Sequence, residues 1–217
     1  NAVGAAHVAA AAKASGLQLC FFSSDYVFGG DAAREMPYDE TAIPAPLNIY
    51  GASKLAGELV VRQAASSNLV VRTSSLFGTV TSKKGWTFPE SMMRKAIAGD
   101  AMRVVSDQVM APTYTKDLVE RVLALLERDA AGVAHVANGG TCSWWAFASE
   151  TLRQAGIDHP IAPVPASTFP TAARRPAFSA LTSVRDREFS LPPMRPWPEA
   201  LAAYLIEKRA DGTSVTA

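Results

Sequence analysis

Tyr50 and Lys54 are the two residues of this chain whose types and spacing most directly suggest chemistry. They are four positions apart, so on a helix both side chains project from one face, a single turn apart. A phenol with a pKa of about 10 is a poor proton donor at neutral pH, and a neighbouring ammonium group lowers that pKa toward the working range. The pair suits acid–base chemistry on a hydroxyl or carbonyl group. The alternative is a surface tyrosine and lysine at the start of a helix.

A second candidate group is the polar run Ser23, Ser24, Asp25 and Tyr26, which directly follows the apolar segment LQLCFF at residues 17–22. Hydroxyl groups at the carboxyl end of a strand can hydrogen-bond a substrate carbonyl oxygen and its developing negative charge. Serine and aspartate also commonly cap turns without any catalytic role. The run taken alone leaves both interpretations open.

The elements that must position these residues predict a doubly wound α/β fold. Helices and apolar strands alternate along the first part of the chain: a helix over 2–15 that stops at Gly16, a strand over 17–22, a helix over 50–65 and a strand over 68–75. This alternation is typical of a parallel sheet covered on both faces. Right-handed crossovers would bring the loops after Phe22 and Arg72 to the same, carboxyl-terminal edge of the sheet, where such folds bind ligands.

Beyond Gly78 the pattern predicts further helices and strands. The helices are expected over 88–99, 115–129, 143–156 and from Pro196 onward, and the strands over 103–108 and 132–138. Ser143 is predicted to cap the third of these helices. Residues 159–198 are rich in Pro, Arg and Ser and predict irregular structure.

Composition and charge exclude several classes of protein. The 217 residues carry 21 basic and 20 acidic side chains, a formal charge of +1, which argues against nucleic acid as the main partner. The apolar stretches are too short for a membrane span. Cys20 and Cys142 cannot build a disulfide framework, so a reducing cytoplasm is expected, and His7, His135 and His159 lack metal-ligand spacing, so no metal site is predicted.

Five ordered segments together resemble the extended short-chain dehydrogenase/reductase family, most closely its dTDP-4-dehydrorhamnose reductase branch. The first is FSSDYVFGG, followed after a loop by PLNIYGASKLAGE. The others are VRTSSLFG at 71–78, VVSDQVMAPTYTKDL at 104–118, GVAHVANGGTCSWWAFA at 132–148 and ARRPAFSAL at 173–181. The resemblance implies reduction of the C4 keto group of a nucleotide-linked deoxysugar by NADPH or NADH.

The same resemblance implies roles for individual residues at the reacting centre. Tyr50 would protonate the C4 alkoxide, and Lys54 would bind the nicotinamide ribose and lower the pKa of Tyr50. Ser24 would polarise the carbonyl, with Asp25 and Tyr26 as further substrate-binding residues. Ser23 is the nearest substitute for Ser24 and a cofactor-binding candidate. The cofactor-binding or structural candidates after the next strand are Thr73, Ser74 and Ser75.

A pocket for the nucleotide part of the substrate is expected from arginine and aromatic side chains. Guanidinium groups match a diphosphate, and aromatic faces match a pyrimidine base. Trp144 and Trp145 are expected in the core instead. The candidates for this pocket are Phe88, Arg103, Gln108, Arg174 and Arg175.

The resemblance also implies a division of the chain. Residues 1–80 would form the C-terminal part of a Rossmann-like NAD(P)-binding domain, and residues 81–217 mainly a smaller α/β substrate-binding domain, with segments at about 103–137 returning to the main sheet. The glycine-rich turn that receives the cofactor pyrophosphate is not in these residues, so an N-terminal part is expected ahead of Asn1. The 217 residues alone are therefore expected to bind NAD(P)H poorly. A homodimer is left open.

Three other functions share this fold. A sugar-nucleotide dehydratase would have an Asp-Glu pair after the hydroxyl residue, whereas Asp25 is followed by Tyr26. A sugar-nucleotide epimerase keeps the same Ser, Tyr and Lys and stays open. The regulatory subunit of methionine adenosyltransferase resembles the same branch and acts by binding, although an intact set of Ser24, Tyr50 and Lys54 favours an enzyme.

Overall fold

A computed structural model of the protein describes residues 1–80 and 85–210. Six α-helices and nine strands are present in these ranges. The helices are α1 (Ala2–Ala14), α2 (Ile49–Ala64), α3 (Phe88–Ile97), α4 (Thr115–Leu126), α5 (Trp144–Ala155) and α6 (Trp197–Ala210). The strands are β1 (Cys20–Ser24), β2 (Leu69–Thr73), β3 (Leu76–Phe77), β4 (Met102–Val105), β5 (Val109–Met110), β6 (Thr113–Tyr114), β7 (Gly132–His135), β8 (Cys142–Ser143) and β9 (Ile161–Val164).

The main sheet consists of three parallel strands in the order β1-β2-β7. The register pairs Ser23 with Arg72 and Ser24 with Thr73, so β1 and β2 end side by side at one edge. The predicted α/β class with a parallel sheet is confirmed.

Helices cover both faces of this sheet because successive side chains of a strand point to opposite sides. Val70 packs with Val61 of α2 and with the alanines of α1. Leu69 and Val71 pack instead against α4, whose apolar stripe is Leu118, Val122 and Leu125. The amphipathic pattern that predicted α4 thus reflects its burial against the sheet.

A second core lies among α3, α5, α6 and the strands β4 and β9. Its centre is aromatic: the ring centroid of Phe77 lies 5.3 Å from that of Phe147 and 5.5 Å from that of Tyr204. β4 pairs with β9 in a separate two-stranded sheet. Of the expected return segment 103–137, β7 joins the main sheet and α4 packs on it, whereas β4 does not.

Two strand predictions need correction. The first strand runs over Cys20–Ser24, not 17–22, because the N–H of Leu17 bonds the carbonyl of Ala12 at 2.9 Å and closes the end of α1. Gly16 supports that turn with a φ of 65°. The strand β9 lies in the segment predicted to be irregular. Pro163 lies within β9, and proline normally argues against a strand. Among the described strands β9 hydrogen-bonds only β4, however, and such an edge position tolerates proline.

A buried polar network crosses the α2 side of the main sheet. Arg72 donates from Nε and Nη2 to Glu58 at 2.9 and 2.7 Å, and Ser23 donates to the same carboxylate. Arg72 Nη1 lies 3.3 Å from Nε2 of His135, and since arginine only donates, Nε2 accepts. The His135 proton therefore sits on Nδ1, which faces the carbonyls of Tyr38 and Thr182. Burial lowers the pKa of His135, which favours this neutral form.

We predict that Arg72→Met strongly destabilises the protein. The substitution leaves the carboxylate of Glu58, which is 1% exposed, without its guanidinium partner. Breaking a buried ion pair in this way costs about 3–5 kcal/mol. Urea denaturation of the full-length protein measures the change, with Arg62→Met on the exposed face of α2 as the matched control. Equal stability of the two variants would contradict the structural role of the network.

Candidate functional site

Ser24 is the last residue of β1 and caps the 3-10 turn Asp25–Val27. Its Oγ accepts a hydrogen bond from the backbone N–H of Tyr26 at 3.2 Å and donates to Oδ1 of Asp25 at 3.0 Å. The hydroxyl therefore lies at the carboxyl edge of the main sheet, where parallel α/β sheets bind ligands.

The helix α2 brings Tyr50 and Lys54 to the same edge. Asn48 caps this helix by accepting from the N–H of Gly51 at 2.9 Å, so Tyr50 lies in the first turn and Lys54 one turn later. The ammonium group of Lys54 donates to the carbonyl oxygen of Phe22 in β1 at 2.8 Å. Burial lowers the pKa of Lys54, and the carboxylate of Glu58 opposes that shift.

Tyr50 has an exposed side chain, 48% accessible to solvent. Its ring meets the ring of Tyr26 edge-on, with 6.0 Å between the centroids. Burial, and next the charge of Asp25, raise the pKa of Tyr26, so that phenol stays neutral. Of the two tyrosines, Tyr50 is the more exposed.

Gly51 fixes how closely α2 approaches the end of β1. A Cβ atom at this position would lie 2.0 Å from the backbone oxygen of Tyr26, which no real side chain tolerates. The glycine between Tyr50 and Lys54 thus allows the first turn of α2 to lie directly on the loop that follows Ser24. Sequence reasoning did not single out this residue.

The end of β2 supplies Thr73 and Ser74. Thr73 is buried, and its Oγ1 has no hydrogen-bond partner among the described residues. Ser74 donates to Oδ2 of Asp25 at 3.0 Å. Ser75 follows with a positive φ of 46°, an uncommon conformation for a residue other than glycine.

Two residues predicted at this edge have their polar atoms bonded to neighbouring side chains. The hydroxyl of Ser23 donates to Oε1 of Glu58 at 2.5 Å, in the buried network on the α2 side of the sheet. Asp25, which was expected to contact substrate, is 4% exposed, and its Oδ1 accepts from Ser24.

A separate pocket of about 240 Å³ brings together four residues that sequence reasoning assigned to the nucleotide part of a substrate. They come from distant parts of the chain: Phe88, Arg103, Gln108 and Arg175. Arg174 does not line this pocket, and its carbonyl oxygen accepts from the side chain of Asn48 at 2.8 Å.

Two aromatic residues of this pocket were missed. Trp144 was expected in the core, and it does pack against the second core, but it is only half-buried and also lines the pocket, with its ring 4.8 Å from that of Phe88. Phe169 also lines it, 5.7 Å from the guanidinium of Arg103. Trp145 is also half-buried and packs against the same core, and its Nε1 donates to the carbonyl of Ile161. Adjacent tryptophans at a helix start give no local signal of which one faces a ligand.

The described residues contain no group of three or more His, Cys, Asp or Glu side chains arranged to hold a metal ion. Within the same ranges, every helix is too short or too polar to cross a bilayer.

The parallel sheet, with a tyrosine and a lysine on one helix turn beside a serine hydroxyl, defines an α/β protein whose site suits acid–base chemistry. The chain belongs to the RmlD substrate binding domain family, whose profile matches residues 1–210. The family resemblance predicted from the sequence motifs is confirmed.

Individual relatives agree with this family. The chain is 38% identical over 219 residues to a dTDP-4-dehydrorhamnose reductase of Mycobacterium tuberculosis, covering 99% of this chain and 71% of the relative. It is 37% identical over 208 residues to the spore coat polysaccharide biosynthesis protein SpsK of Bacillus subtilis, covering 96% and 71%. The crystal structure of a Bacillus anthracis dTDP-4-dehydrorhamnose reductase in complex with NADP superposes with a TM-score of 0.88 at 39% identity, covering 95% of this chain and 72% of the other.

We predict that Gly51→Ala destabilises the protein by about 1–3 kcal/mol, because the new methyl group overpacks against the backbone of Tyr26. Gly4→Ala in α1 is the matched control. Its Cβ would meet nothing within 4 Å, so a gain of about 0.5–1 kcal/mol is expected from helix propensity. Urea denaturation of both variants checks the contrast. A neutral or stabilising Gly51→Ala would show that α2 does not rest on the loop after β1.

Proposed function

We propose that the protein containing this chain reduces the C4 keto group of a nucleotide-linked 4-keto-6-deoxysugar, dTDP-4-dehydrorhamnose, with NADPH as the reductant. The observation that carries the proposal is the position of Lys54. This residue lies one helix turn after the exposed Tyr50, and its ammonium group donates to the carbonyl of Phe22 at the end of the neighbouring strand. Membership of the family and the names of the relatives support the same activity.

The reaction needs a hydride at C4 and a proton at the carbonyl oxygen, which together give the alcohol. Reduced nicotinamide supplies the hydride when it is bound. Ser24 hydrogen-bonds the carbonyl oxygen and stabilises its developing charge. Tyr50 donates its phenolic proton to that oxygen, and the ammonium of Lys54 stabilises the phenolate that remains.

Residues at the end of the sheet fit the nicotinamide end of a dinucleotide. Thr73 has a buried hydroxyl oxygen with no partner among the described residues, and a buried polar atom of this kind calls for one, which a cofactor amide or ribose group would supply. Lys54 would bind the hydroxyl groups of the nicotinamide ribose. Ser74 lies next to Thr73, although its own hydroxyl is bonded to Asp25. NADP in the Bacillus anthracis relative favours NADPH over NADH.

The 240 Å³ pocket fits the nucleotide part of the substrate. Arg103 and Arg175 offer guanidinium groups to a diphosphate, and the aromatic side chains of Phe88, Trp144 and Phe169 offer faces to a pyrimidine base. Phe88 already stacks on Phe147 at 5.5 Å, so Trp144 and Phe169 are better placed to contact the base.

The proposed function predicts that Tyr50→Phe lowers kcat by about 10²- to 10⁴-fold, because the ring is kept but the proton donor is lost. Oxidation of NADPH with dTDP-4-dehydro-L-rhamnose, followed by absorbance in the full-length protein, measures the rate. Tyr204→Phe is the matched control, since its hydroxyl lies in the second core with Thr87 as a distant partner at 3.5 Å. Wild-type protein without turnover would favour a binding subunit, and an active Tyr50→Phe would exclude Tyr50 as the acid.

The neighbouring arginines give a second prediction. Arg175→Met is expected to raise the KM for the nucleotide sugar by about tenfold, because the substrate loses one charge-assisted hydrogen bond. The change in kcat should be small. Arg174→Met, which removes an equal charge outside the pocket, should change KM by less than about twofold. The same assay at varied substrate concentration measures both variants. An equal effect of the two substitutions would mean that this pocket does not bind the nucleotide.

A further inference from the structure

The buried carboxylate of Asp25 is the hydrogen-bond acceptor for three serine hydroxyls. Ser24 donates to its Oδ1 at 3.0 Å, while Ser74 and Ser179 donate to Oδ2 at 3.0 and 2.6 Å. The side chain is only 4% exposed. Burial raises the pKa of this carboxyl, and the hydroxyls of Ser179, Ser74 and Ser24 oppose that shift by bonding the charged form.

The two carboxylate oxygens of Asp25 accept different numbers of hydrogen bonds from side chains. Oδ2 holds the hydroxyls of Ser74 and Ser179, so it keeps the carboxylate in place from two segments distant in sequence. Oδ1 accepts only from Ser24 among the side chains described. If the Ser24 hydroxyl turns toward a substrate oxygen, Asp25 therefore retains two of its hydroxyl bonds and does not become an unpaired buried charge.

The hydroxyl of Ser24 also has a fixed direction. Its oxygen accepts the N–H of Tyr26, and its single proton points at Asp25. A serine hydroxyl rotates freely unless its partners hold it, so these two bonds select one rotamer at the edge of the sheet. The proton has to turn from Oδ1 to reach a substrate oxygen, so what these contacts keep fixed is the position of the Ser24 oxygen, from which only a rotation of the hydroxyl is needed.

We propose that Asp25 is a positioning residue. Anchored by Ser74 and Ser179, its carboxylate fixes the turn after β1, and with it the place from which the Ser24 hydroxyl turns toward the C4 carbonyl oxygen. The assignment rests on the proposed function. It differs from a substrate contact by Asp25, because the buried Asp25 side chain is bonded to three serine hydroxyls and acts on the substrate through Ser24.

The test is a double-mutant cycle between Asp25→Asn and Ser24→Ala in the full-length protein. An amide cannot accept all three hydroxyls, so Asp25→Asn should lower kcat by about 10- to 100-fold through misorientation of Ser24, with KM for dTDP-4-dehydro-L-rhamnose changed by less than about threefold. In the Ser24→Ala background the same substitution should change kcat by less than about twofold, because nothing remains to be positioned. Asp39→Asn, which removes a carboxylate that caps Thr41, is the matched control and should leave kcat unchanged.

A second cycle covers the case in which Asp25→Asn does not fold. Ser179→Ala keeps the carboxylate but removes one of its two anchors, and it should lower kcat by about threefold only when Ser24 is present. Additive effects in either cycle, or a loss confined to KM, would overturn the positioning role. Wild-type protein that does not reduce the nucleotide sugar would overturn the proposed function and this assignment with it, whereas active wild type with additive cycles would overturn the assignment alone.

Discussion

The site depends on the close packing of α2 against the end of β1. The backbone of α2 contacts the backbone of the loop after β1, because Gly51 lies against the carbonyl of Tyr26 without space for a methyl group. One turn further, Lys54 bonds the carbonyl of Phe22 and fixes the helix along its length. These two contacts hold the start of α2 against the end of β1, so the backbone of Tyr50 keeps its place near the loop that follows Ser24.

The alternation of a β-strand separates a stabilising network from the site. Ser23 and Arg72 are register partners and point toward α2, where Glu58 joins them in the buried ion pair. The next residues along each strand, Ser24 and Thr73, point to the opposite side. The sheet therefore carries a closed polar network on one face and, one residue later, two hydroxyl groups at its carboxyl edge that are not part of that network. A shift of one residue in register would exchange these two roles.

Local pattern was enough to predict the elements that carry the site, and not enough to predict their contacts. The helix with Tyr50 and Lys54, the parallel neighbours β1 and β2, and the cap of α5 by Ser143 all follow from short-range signals. The burial of Asp25 depends on Ser179, 154 residues away, and no local periodicity contains that contact. Trp144 and Phe169 were missed for the same reason, since the pocket they line is assembled from several separate segments.

The segment around Ser179 connects the two ends of the site. Ala177 and Ser179 exchange backbone hydrogen bonds with Val109 of β5, at 2.8 and 2.9 Å, directly after the pocket residue Gln108. Arg175 stands in the pocket four residues before Ser179 bonds Asp25. A nucleotide bound in this pocket would therefore contact the same segment that anchors the carboxylate bonded to Ser24. Binding energy from a part of the substrate that does not react would in this way be used to orient the hydroxyl at the reacting carbon, which raises kcat and not only affinity.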